Sequence, residues 1–349
     1  MPRLWLGVFI ALAAALLATP LAIYVARKLN VVDIPNERKV HTVAIPRMGG
    51  VAIYGAFVLG ALALGLYTRQ VAALLVASSI VMLVGWVDDV RGISPKIKLL
   101  GQVVASLVLI KGGFFVQFIT NPFTDGGLIS LGVFTIPVTI LWLTGISNAV
   151  NLIDGLDGLS AGVSAVAALT MTIVCFVQGQ VQTAALAAVL AAAAFGFLRY
   201  NFYPARTFMG DCGSLFLGFV LGALAIMGLS KGATIVSIFI PFIIMGIPIF
   251  DTFFAIIRRI FLHKPIFEAD KGHLHHSLLS LGLSHRQTVL SIYAVSAVMG
   301  LSAVLLALLT SAQAMVLLIA LIIGIFLGAE KLGVLRGNQE YRLHRHKPN

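Results

Sequence analysis

The sequence predicts an all-α polytopic membrane protein, and three observations indicate that class. Of the 349 residues, 59% are hydrophobic and only 11% are charged. The mean hydropathy is +1.02. Long apolar runs recur along the chain, and a transmembrane helix needs about 20 mostly apolar residues. These features exclude a water-soluble globular protein. About eleven transmembrane helices are predicted, at 4–26, 49–68, 71–87, 99–112, 131–147, 158–178, 181–198, 212–230, 233–257, 288–309 and 312–329.

The first apolar run is interpreted as a retained span and not as a signal peptide. Its positive residues, Arg27 and Lys28, follow the apolar stretch. A signal peptide carries its positive residues before the apolar stretch. We therefore keep 4–26 in the count of spans.

Three later stretches carry local features. Run 99–112 is the shortest, and a run of that length also suits a re-entrant or protein-buried segment. Run 233–257 contains Pro241 and Pro248, so the helix is expected to bend there. Two short strand-like stretches flank a turn rich in Pro, Asp and Gly, which predicts a small external hairpin near 114–134.

The distribution of Lys and Arg predicts the orientation. When the segments between spans are assigned alternately to two sides, one side receives 20 of the 24 basic residues. That side is cytoplasmic by the positive-inside rule, so the N-terminus lies outside and the C-terminus lies inside. The net charge of +11 therefore belongs to one face. It predicts that this face contacts anionic membrane lipids, and we expect no nucleic-acid partner. Residues 1–330 form a single transmembrane domain, and 331–349 form a basic cytoplasmic tail.

Four polar residues at intervals of three lie in an otherwise apolar part of the chain. They are Asn148, Asn151, Asp154 and Asp157, within 148–162. Ionisable groups at membrane depth are costly, and they usually mark a pathway or a site. The alternative is a polar loop between two spans. Because other carboxylates recur at the same predicted face, we favour a functional site.

Asp88 and Asp89 stand side by side at the end of the third predicted span, with Lys96 and Lys98 close behind. Adjacent carboxylates repel each other, so they favour a shared proton or a bound cation. Carboxylates with nearby Lys suit a divalent metal and a phosphate, because the metal takes oxygen ligands and Lys takes the phosphate charge. The alternative is a solvated helix end.

Two further segments on the same face carry candidate residues. Asp211 lies between Gly210 and Gly213 at the start of a span, where a carboxylate is stabilised by the helix N-terminus and is able to bind a cation. A simple capping Asp is the alternative. Arg47, in a basic loop before the second span, is a candidate for binding an anion. Asp251 follows Pro248, and the sequence leaves its role undecided.

The last large loop contains His273, His275 and His276, close to Lys271. Zinc is one ligand for such a cluster, but the carboxylates elsewhere favour a hard cation. The more plausible role is to hold phosphate oxygens. Because His275 and His276 are adjacent, they cannot face the same way on a helix or strand, so one of them is expected to be structural.

Taken together, these motifs resemble the polyprenyl-phosphate N-acetylhexosamine-1-phosphate transferase family, and most closely its bacterial members that initiate teichoic acid or other surface polymers. The resemblance covers 33–290. It departs in one place, because 90–92 lacks the third acidic residue found in some relatives. Leu274 interrupts the His cluster, whereas the related phospho-N-acetylmuramoyl-pentapeptide transferases usually show three consecutive His. The resemblance is carried by Arg38-Lys-Val-His, Pro46-Arg-Met-Gly-Gly, Asp88-Asp, 148–158, Phe208-Met-Gly-Asp-Cys-Gly-Ser and His273-Leu-His-His.

The resemblance implies transfer of N-acetylglucosamine 1-phosphate from UDP-N-acetylglucosamine to undecaprenyl phosphate, with Mg²⁺ or Mn²⁺, at the cytoplasmic face of a bacterial plasma membrane. A homodimer is the expected assembly if the protein is not a monomer. The expected catalytic residues are Asp88, Asp89, Asp154, Asp157, His273, His275 and His276; the expected substrate-binding residues are Arg47, Lys98, Asn148, Arg206 and Lys271; the expected metal ligands are Asp211 and Asn151.

Alternatives remain at this stage. Direct attack by the lipid phosphate is favoured over a covalent aspartyl-phosphate on Asp88 or Asp89, but the sequence does not separate them. Another UDP-N-acetylhexosamine would serve the same reaction. Broken helices and intramembrane carboxylates also suit an ion-coupled transporter. Against a transporter, the sequence has no internal repeat, and its charges lie at one face.

Overall fold

A computed structural model describes residues 2–34, 44–116, 118–120, 128–228, 235–261, 263 and 272–331. Within these ranges the chain folds into thirteen α-helices and two small antiparallel sheets. The helices are α1 Pro2–Lys28, α2 Gly49–Ala63, α3 Arg69–Arg91, α4 Pro95–Lys111, α5 Thr135–Leu152, α6 Leu159–Val177, α7 Val181–Asn201, α8 Gly210–Gly228, α9 Ile235–Ile244, α10 Gly246–Phe261, α11 Leu274–Ser280, α12 His285–Leu308 and α13 Ser311–Lys331.

In the described part of the chain, eight helices are long and apolar enough to cross a membrane, which confirms an all-α polytopic class. They are α1, α3, α5 with the preceding 3₁₀ turn, α6, α7, α8, α12 and α13. The other three predicted spans correspond to the 15-residue α2, the 17-residue α4, and the pair α9 and α10. The count of eleven and the predicted orientation therefore stay predictions.

The predicted bend in 233–257 is a complete break. Helix α9 ends at Ile244, Met245 forms a turn, and α10 begins at Gly246. Pro248 has no backbone N–H to donate to the carbonyl of residue 244, so one i→i−4 hydrogen bond is missing at this point.

Helix α8 forms the centre of the bundle. Every residue from 212 to 228 is buried. Helices α2, α3, α5, α6 and α7 all contact it. The Ala-rich α6 and α7 pack against each other, and their small side chains permit close approach in lipid. The bundle thereby holds the first turn of α8 in a fixed position at one end.

Two strand pairs complete the described structure. Strands β3 Phe118–Thr120 and β4 Leu128–Ser130 pair antiparallel, which confirms a hairpin within 114–134. Strands β1 Val32–Asp33 and β2 Ile45–Pro46 also pair antiparallel, and the sequence did not indicate them. This second pair joins the end of α1 to the start of α2.

The helices run up and down, so alternate connections meet at the same end of the bundle. The C-terminal ends of α1, α3, α5 and α7 lie there together with the N-terminal ends of α2, α4, α6, α8 and α12. Nearly all the polar motifs occur in these segments. The predicted tail, 331–349, lies outside the described residues after Lys331.

Candidate active site

A polar cavity of about 430 Å³ opens at this end of the bundle. Its wall is built from six separate stretches of the chain, and it contains four carboxylates. That concentration of ionisable groups is typical of a functional site in a membrane protein. The lining residues are Asp33, Arg47, Asn151, Asp154, Gly155, Leu156, Asp157, Asn201, Phe208, Gly210, Asp211, His276 and His285.

The start of α2 is docked onto the start of α8 by backbone contacts. The carbonyl of Pro46 accepts the N–H of Phe208 at 2.8 Å, and the N–H of Gly50 donates to the carbonyl of Met209 at 2.9 Å. A Cβ atom on Gly50 would lie only 2.2 Å from the backbone nitrogen of Gly213, so a side chain has no room there. The glycine pair therefore fixes the position of the chain that carries Arg47.

Asp89 is buried beneath this junction, with no exposed side-chain surface. Its Oδ1 accepts hydrogen bonds from Arg47 Nη2 at 2.8 Å and from the N–H of Asp211 at 2.9 Å. Its Oδ2 accepts the N–H of Cys212 at 3.0 Å. Gly210 has φ +70° and its backbone passes against this carboxylate, which a side chain there would prevent. Asp89 thus holds Arg47 and caps α8, and both of its oxygens are occupied.

Asp88 and Asp211 are joined by one Lys. Lys98 Nζ donates to Asp211 Oδ2 at 2.8 Å and to Asp88 Oδ2 at 3.1 Å. The other oxygen of Asp88 accepts the N–H of Ile93 at 2.8 Å. Asn151 Nδ2 donates to Asp211 Oδ1 at 3.2 Å. The structure therefore brings together Asp88, Lys98, Asn151 and Asp211, although Asn151 presents its amide nitrogen to Asp211 and not the oxygen that a metal would bind.

Asp154 and Asp157 lie in the turn between α5 and α6, and both line the cavity. Burial raises the pKa of Asp154 to about 8, with further contributions from Asp211 and Asp89, while Arg47 acts in the opposite direction. Asp157 Oδ2 accepts the N–H of Ala205 at 2.9 Å. The turn therefore brings two more carboxyl groups to a region that already contains several, and a bound cation would favour their ionised form.

The His cluster is divided by α11, and only one member reaches the cavity. His276 lines it. His273 is buried and its Nδ1 pairs with Asp251 Oδ2 at 2.8 Å, while the N–H of Leu274 donates to Asp251 Oδ1 at 2.7 Å. The structure therefore does not bring His273 to the cavity wall, because its ring is used to fix the start of α11. The same pair of contacts gives Asp251 the role that the sequence left undecided.

His275 is buried as well, and its ring lies against Gly155 in the turn between α5 and α6. Burial lowers the pKa of His275 to about 3, with a further contribution from the neighbouring His276. A neutral buried imidazole does not supply positive charge to a diphosphate. Its position also departs from the predicted role, and its contact with Gly155 makes it a support for the turn.

Two predicted substrate-binding residues, Asn148 and Arg206, lie away from the cavity wall, and Lys98 reaches it only through Asp211. Asn148 lies one turn deeper in α5, where its amide donates to Gln102 Oε1 at 2.7 Å and joins α5 to α4. Arg206 is exposed in the segment after α7 and does not line the cavity. Lys271 lies outside the described residues. The first two positions depart from the prediction because spacing along the chain does not report which way a side chain points.

The sequence analysis missed three lining residues. Asn201 Oδ1 accepts the N–H of Gly158 at 3.1 Å, and Asn201 Nδ2 donates to the carbonyl of Thr207 at 2.9 Å, so this side chain ties α7 to the Asp157 turn. Asp33 is 3.7 Å from Arg47 across the β1–β2 pair. His285 is the first residue of α12 and directly follows the N-cap Ser284. A Ser that can cap a helix was the feature of the sequence that could have placed His285 at a helix start.

The donor set fits a magnesium ion. Among the described residues there is no group of three His, Cys, Asp or Glu side chains arranged as a metal cluster. Mg²⁺ usually takes only one or two protein carboxylates and completes its shell with water and substrate phosphates. Asp211 offers such a carboxylate at the cavity wall, and its present partner, Lys98, is a cation that also neutralises phosphate charge.

Comparisons with known proteins agree with the motifs. The family model for glycosyl transferase family 4 matches residues 71–229. The chain is 41% identical over 343 residues to a probable undecaprenyl-phosphate N-acetylglucosaminyl 1-phosphate transferase of Bacillus subtilis, covering 98% of this chain and 95% of that protein. It is 36% identical to the decaprenyl-phosphate N-acetylglucosaminephosphotransferase of Mycobacterium leprae, covering 79% and 77%. It is 34% identical to the phospho-N-acetylmuramoyl-pentapeptide-transferase of Shouchella clausii, covering 82% and 93%.

Proposed function

The chain belongs to the polyprenyl-phosphate N-acetylhexosamine-1-phosphate transferase family and is a membrane-embedded glycosyl-1-phosphate transferase, and from this premise we propose its substrates. The donor is UDP-N-acetylglucosamine and the acceptor is undecaprenyl phosphate. The products are the lipid diphosphate-linked sugar and UMP. One structural observation carries the proposal: Arg47 lines a cavity of about 430 Å³ at the end of a membrane bundle, and Lys98 pairs with Asp211 in the wall of that cavity.

The reaction is a phosphoryl transfer. An oxygen of the acceptor phosphate attacks the β-phosphorus of the donor, a new P–O bond forms, and the bond from that phosphorus to the bridging oxygen breaks. The electron pair leaves with UMP. A phosphate monoester is already anionic at neutral pH, since its second pKa is about 6. The attacking group therefore needs no general base, and catalysis reduces to positioning and charge neutralisation.

The side chains present suit those two tasks. Arg47 lies at the cavity wall and is held by Asp89, so its guanidinium is positioned before substrate arrives. Lys98 bridges Asp88 and Asp211 and is free to exchange one carboxylate for a phosphate oxygen. His276 is the member of the His cluster that faces the cavity. In this assignment Asp89 is a positioning residue, and the fully buried carboxylate does not attack the donor.

Asp211 would hold Mg²⁺, which supplies charge neutralisation to the diphosphate when it is bound. Mn²⁺ has similar ligand preferences and would substitute. Asn151 supports this site by donating to the carboxylate of Asp211 and to Ser214 Oγ at 2.8 Å. Direct attack by the acceptor phosphate is favoured over an aspartyl-phosphate, because Asp89 has no exposed side-chain surface and both oxygens of Asp88 are engaged, one by the N–H of Ile93 and one by Lys98.

The cavity lies on the side that the positive-inside rule makes cytoplasmic, where UDP-sugars are available. We therefore place the reaction at the cytoplasmic face of a bacterial plasma membrane. A surface polymer such as teichoic acid is the expected destination of the product.

The test is a two-substrate assay with purified protein in detergent. Labelled UDP-N-acetylglucosamine is mixed with undecaprenyl phosphate and Mg²⁺, and the formation of UMP and labelled lipid is followed. Both products should appear, and each should require the acceptor and the metal. A panel containing UDP-N-acetylgalactosamine and UDP-N-acetylmuramoyl-pentapeptide identifies the donor. Absence of UMP in this assay, with uptake of label by the same protein in sealed vesicles, would contradict the proposal and favour the ion-coupled transporter.

A further inference from the structure

His285 is a cavity residue that the proposed chemistry has not used. It is the first residue of α12, and its side chain lines the same cavity as Asp157 and Asn201. None of the roles assigned above to metal, diphosphate or acceptor requires it. Its surroundings nevertheless fix its position and leave its hydrogen-bonding groups unused.

The ring of His285 is held by stacking. It lies against the ring of Tyr203, with 4.5 Å between ring centroids and 28° between planes. The next residue, Arg286, lies over the ring of Phe202 at 5.7 Å. A capping box between Ser284 and Gln287 fixes the first turn of α12. Two successive α12 side chains are thereby clamped onto the segment that follows α7.

Both ring nitrogens of His285 are shielded from solvent and have no hydrogen-bond partner among the described residues. Buried polar groups in folded proteins almost always have a partner, and an exception calls for an explanation such as a ligand. Stacking with Tyr203 accounts for the ring carbons but does not satisfy the nitrogens. A ring that lines a cavity and has two nitrogens without partners in the described part of the chain suits a hydrogen bond to a ligand, which requires a small rotation of the ring because neither nitrogen is open to solvent.

The neighbouring wall indicates which part of the donor that atom belongs to. Asp157 is a carboxylate and would repel a phosphate. Asn201 is a neutral amide already committed to Gly158 and Thr207. The diphosphate belongs instead with the cations Arg47 and Lys98. The side of the cavity around His285 therefore suits neutral hydroxyl and amide groups.

We propose that His285 binds the nucleotide-sugar donor by a hydrogen bond to a neutral hydroxyl or amide group of its sugar or nucleoside part. This inference rests on the proposed function, since it names a further contact for the same donor. It makes His285 a substrate-binding residue, and it assigns no proton transfer to the ring.

The experiment compares two substitutions at this position. His285→Phe keeps a flat ring for stacking on Tyr203 and removes both nitrogens. His285→Gln keeps a donor and an acceptor on a smaller side chain. Tyr203→Phe is the matched control, because it keeps the stacked ring and changes only the hydroxyl. For each variant, the KM for UDP-N-acetylglucosamine, the KM for undecaprenyl phosphate and the thermal inactivation midpoint are measured.

His285→Phe should raise the donor KM by about tenfold to a hundredfold, the range for removing one hydrogen bond and leaving its partner unsatisfied. The acceptor KM and the thermal midpoint should stay at the wild-type values, and His285→Gln should lose less. Direct binding of labelled donor without acceptor should follow the same order. Tyr203→Phe should behave as wild type.

Three results would overturn the inference. One is a donor KM for His285→Phe equal to that of wild type. Another is an increase in the acceptor KM alone. The third is a lowered thermal midpoint that His285→Gln does not restore, which would make His285 a structural residue. Wild-type protein that releases no UMP would refute the proposed function and this inference together, whereas normal wild-type turnover with an unchanged variant refutes only the role of His285.

Discussion

Substituting Asp89 by Asn tests whether the two adjacent carboxylates have different roles. Asp89 accepts three hydrogen bonds, from Arg47 and from the N–H groups of Asp211 and Cys212. An amide of the same shape has one acceptor oxygen and no charge. It must therefore leave Arg47 or a backbone N–H at the start of α8 without a partner.

The cost follows from the burial of this group. Removing one member of a fully buried ion pair costs about 3–5 kcal/mol. Arg47 retains 31% exposure of its side chain, so solvent compensates part of the loss. We therefore expect a destabilisation of about 2–3 kcal/mol, just below that range, which corresponds to a fall of several degrees in the thermal midpoint.

The adjacent Asp88 supplies the matched control. Its carboxylate is partly exposed, and Asp88→Asn keeps an oxygen for the N–H of Ile93. Lys98 loses one of two carboxylate partners and keeps Asp211. Asp88→Asn should therefore lower turnover with little change in thermal midpoint. Asp89→Asn should lower both. Turnover is measured as UMP release, and the midpoint as residual activity after heating in detergent.

Two results would refute this reasoning. An Asp89→Asn protein with the wild-type midpoint would show that the three hydrogen bonds do not stabilise the junction of α2 and α8. A phosphorylated Asp89, trapped when donor is supplied without acceptor, would show that this carboxylate reaches the donor. Trapping on Asp88 instead would leave the assignment of Asp89 intact and favour the covalent mechanism.

Three further predictions concern the metal, the pH dependence and the His cluster. Asp211→Asn should raise the Mg²⁺ concentration for half-maximal UMP release at least tenfold, and EDTA should abolish release by wild type; an unchanged Mg²⁺ titration would contradict this. Because the pKa of Asp154 is raised to about 8, the folded protein keeps a proton that the unfolded chain releases above about pH 4, so metal-free stability should fall as pH rises toward 8. When thermal midpoints are measured in EDTA as a function of pH, the midpoint of Asp154→Asn should fall less between about pH 4 and 8 than that of wild type. Equal falls for the two proteins would be contrary evidence. His276→Ala should lower turnover about tenfold to a hundredfold at a normal thermal midpoint, whereas His273→Ala should lower the midpoint by breaking the pair with Asp251; the reverse pattern would be inconsistent with the geometry.

The amino-acid pattern alone determined the class of the protein and the end of the bundle that carries the site. Hydropathy along the chain is enough for this, because every span must be apolar and every costly polar residue is then conspicuous. Alternation of spans also places Asp88, Asn151, Asp154 and Asp211 on one face without knowledge of packing. The proline pair in 233–257 predicted a distortion of the helix, since a missing N–H acts locally.

Only the tertiary structure decided which of those residues face the cavity. Asp88 and Asp89 look equivalent in the sequence, but one turns toward Lys98 and the other toward the α8 N-terminus. The three His look like one cluster, but α11 directs His273 to Asp251 and leaves His276 at the wall. Such choices depend on helix rotation and on partners that lie from 10 to 123 residues away in the sequence. Local spacing along the chain does not encode them.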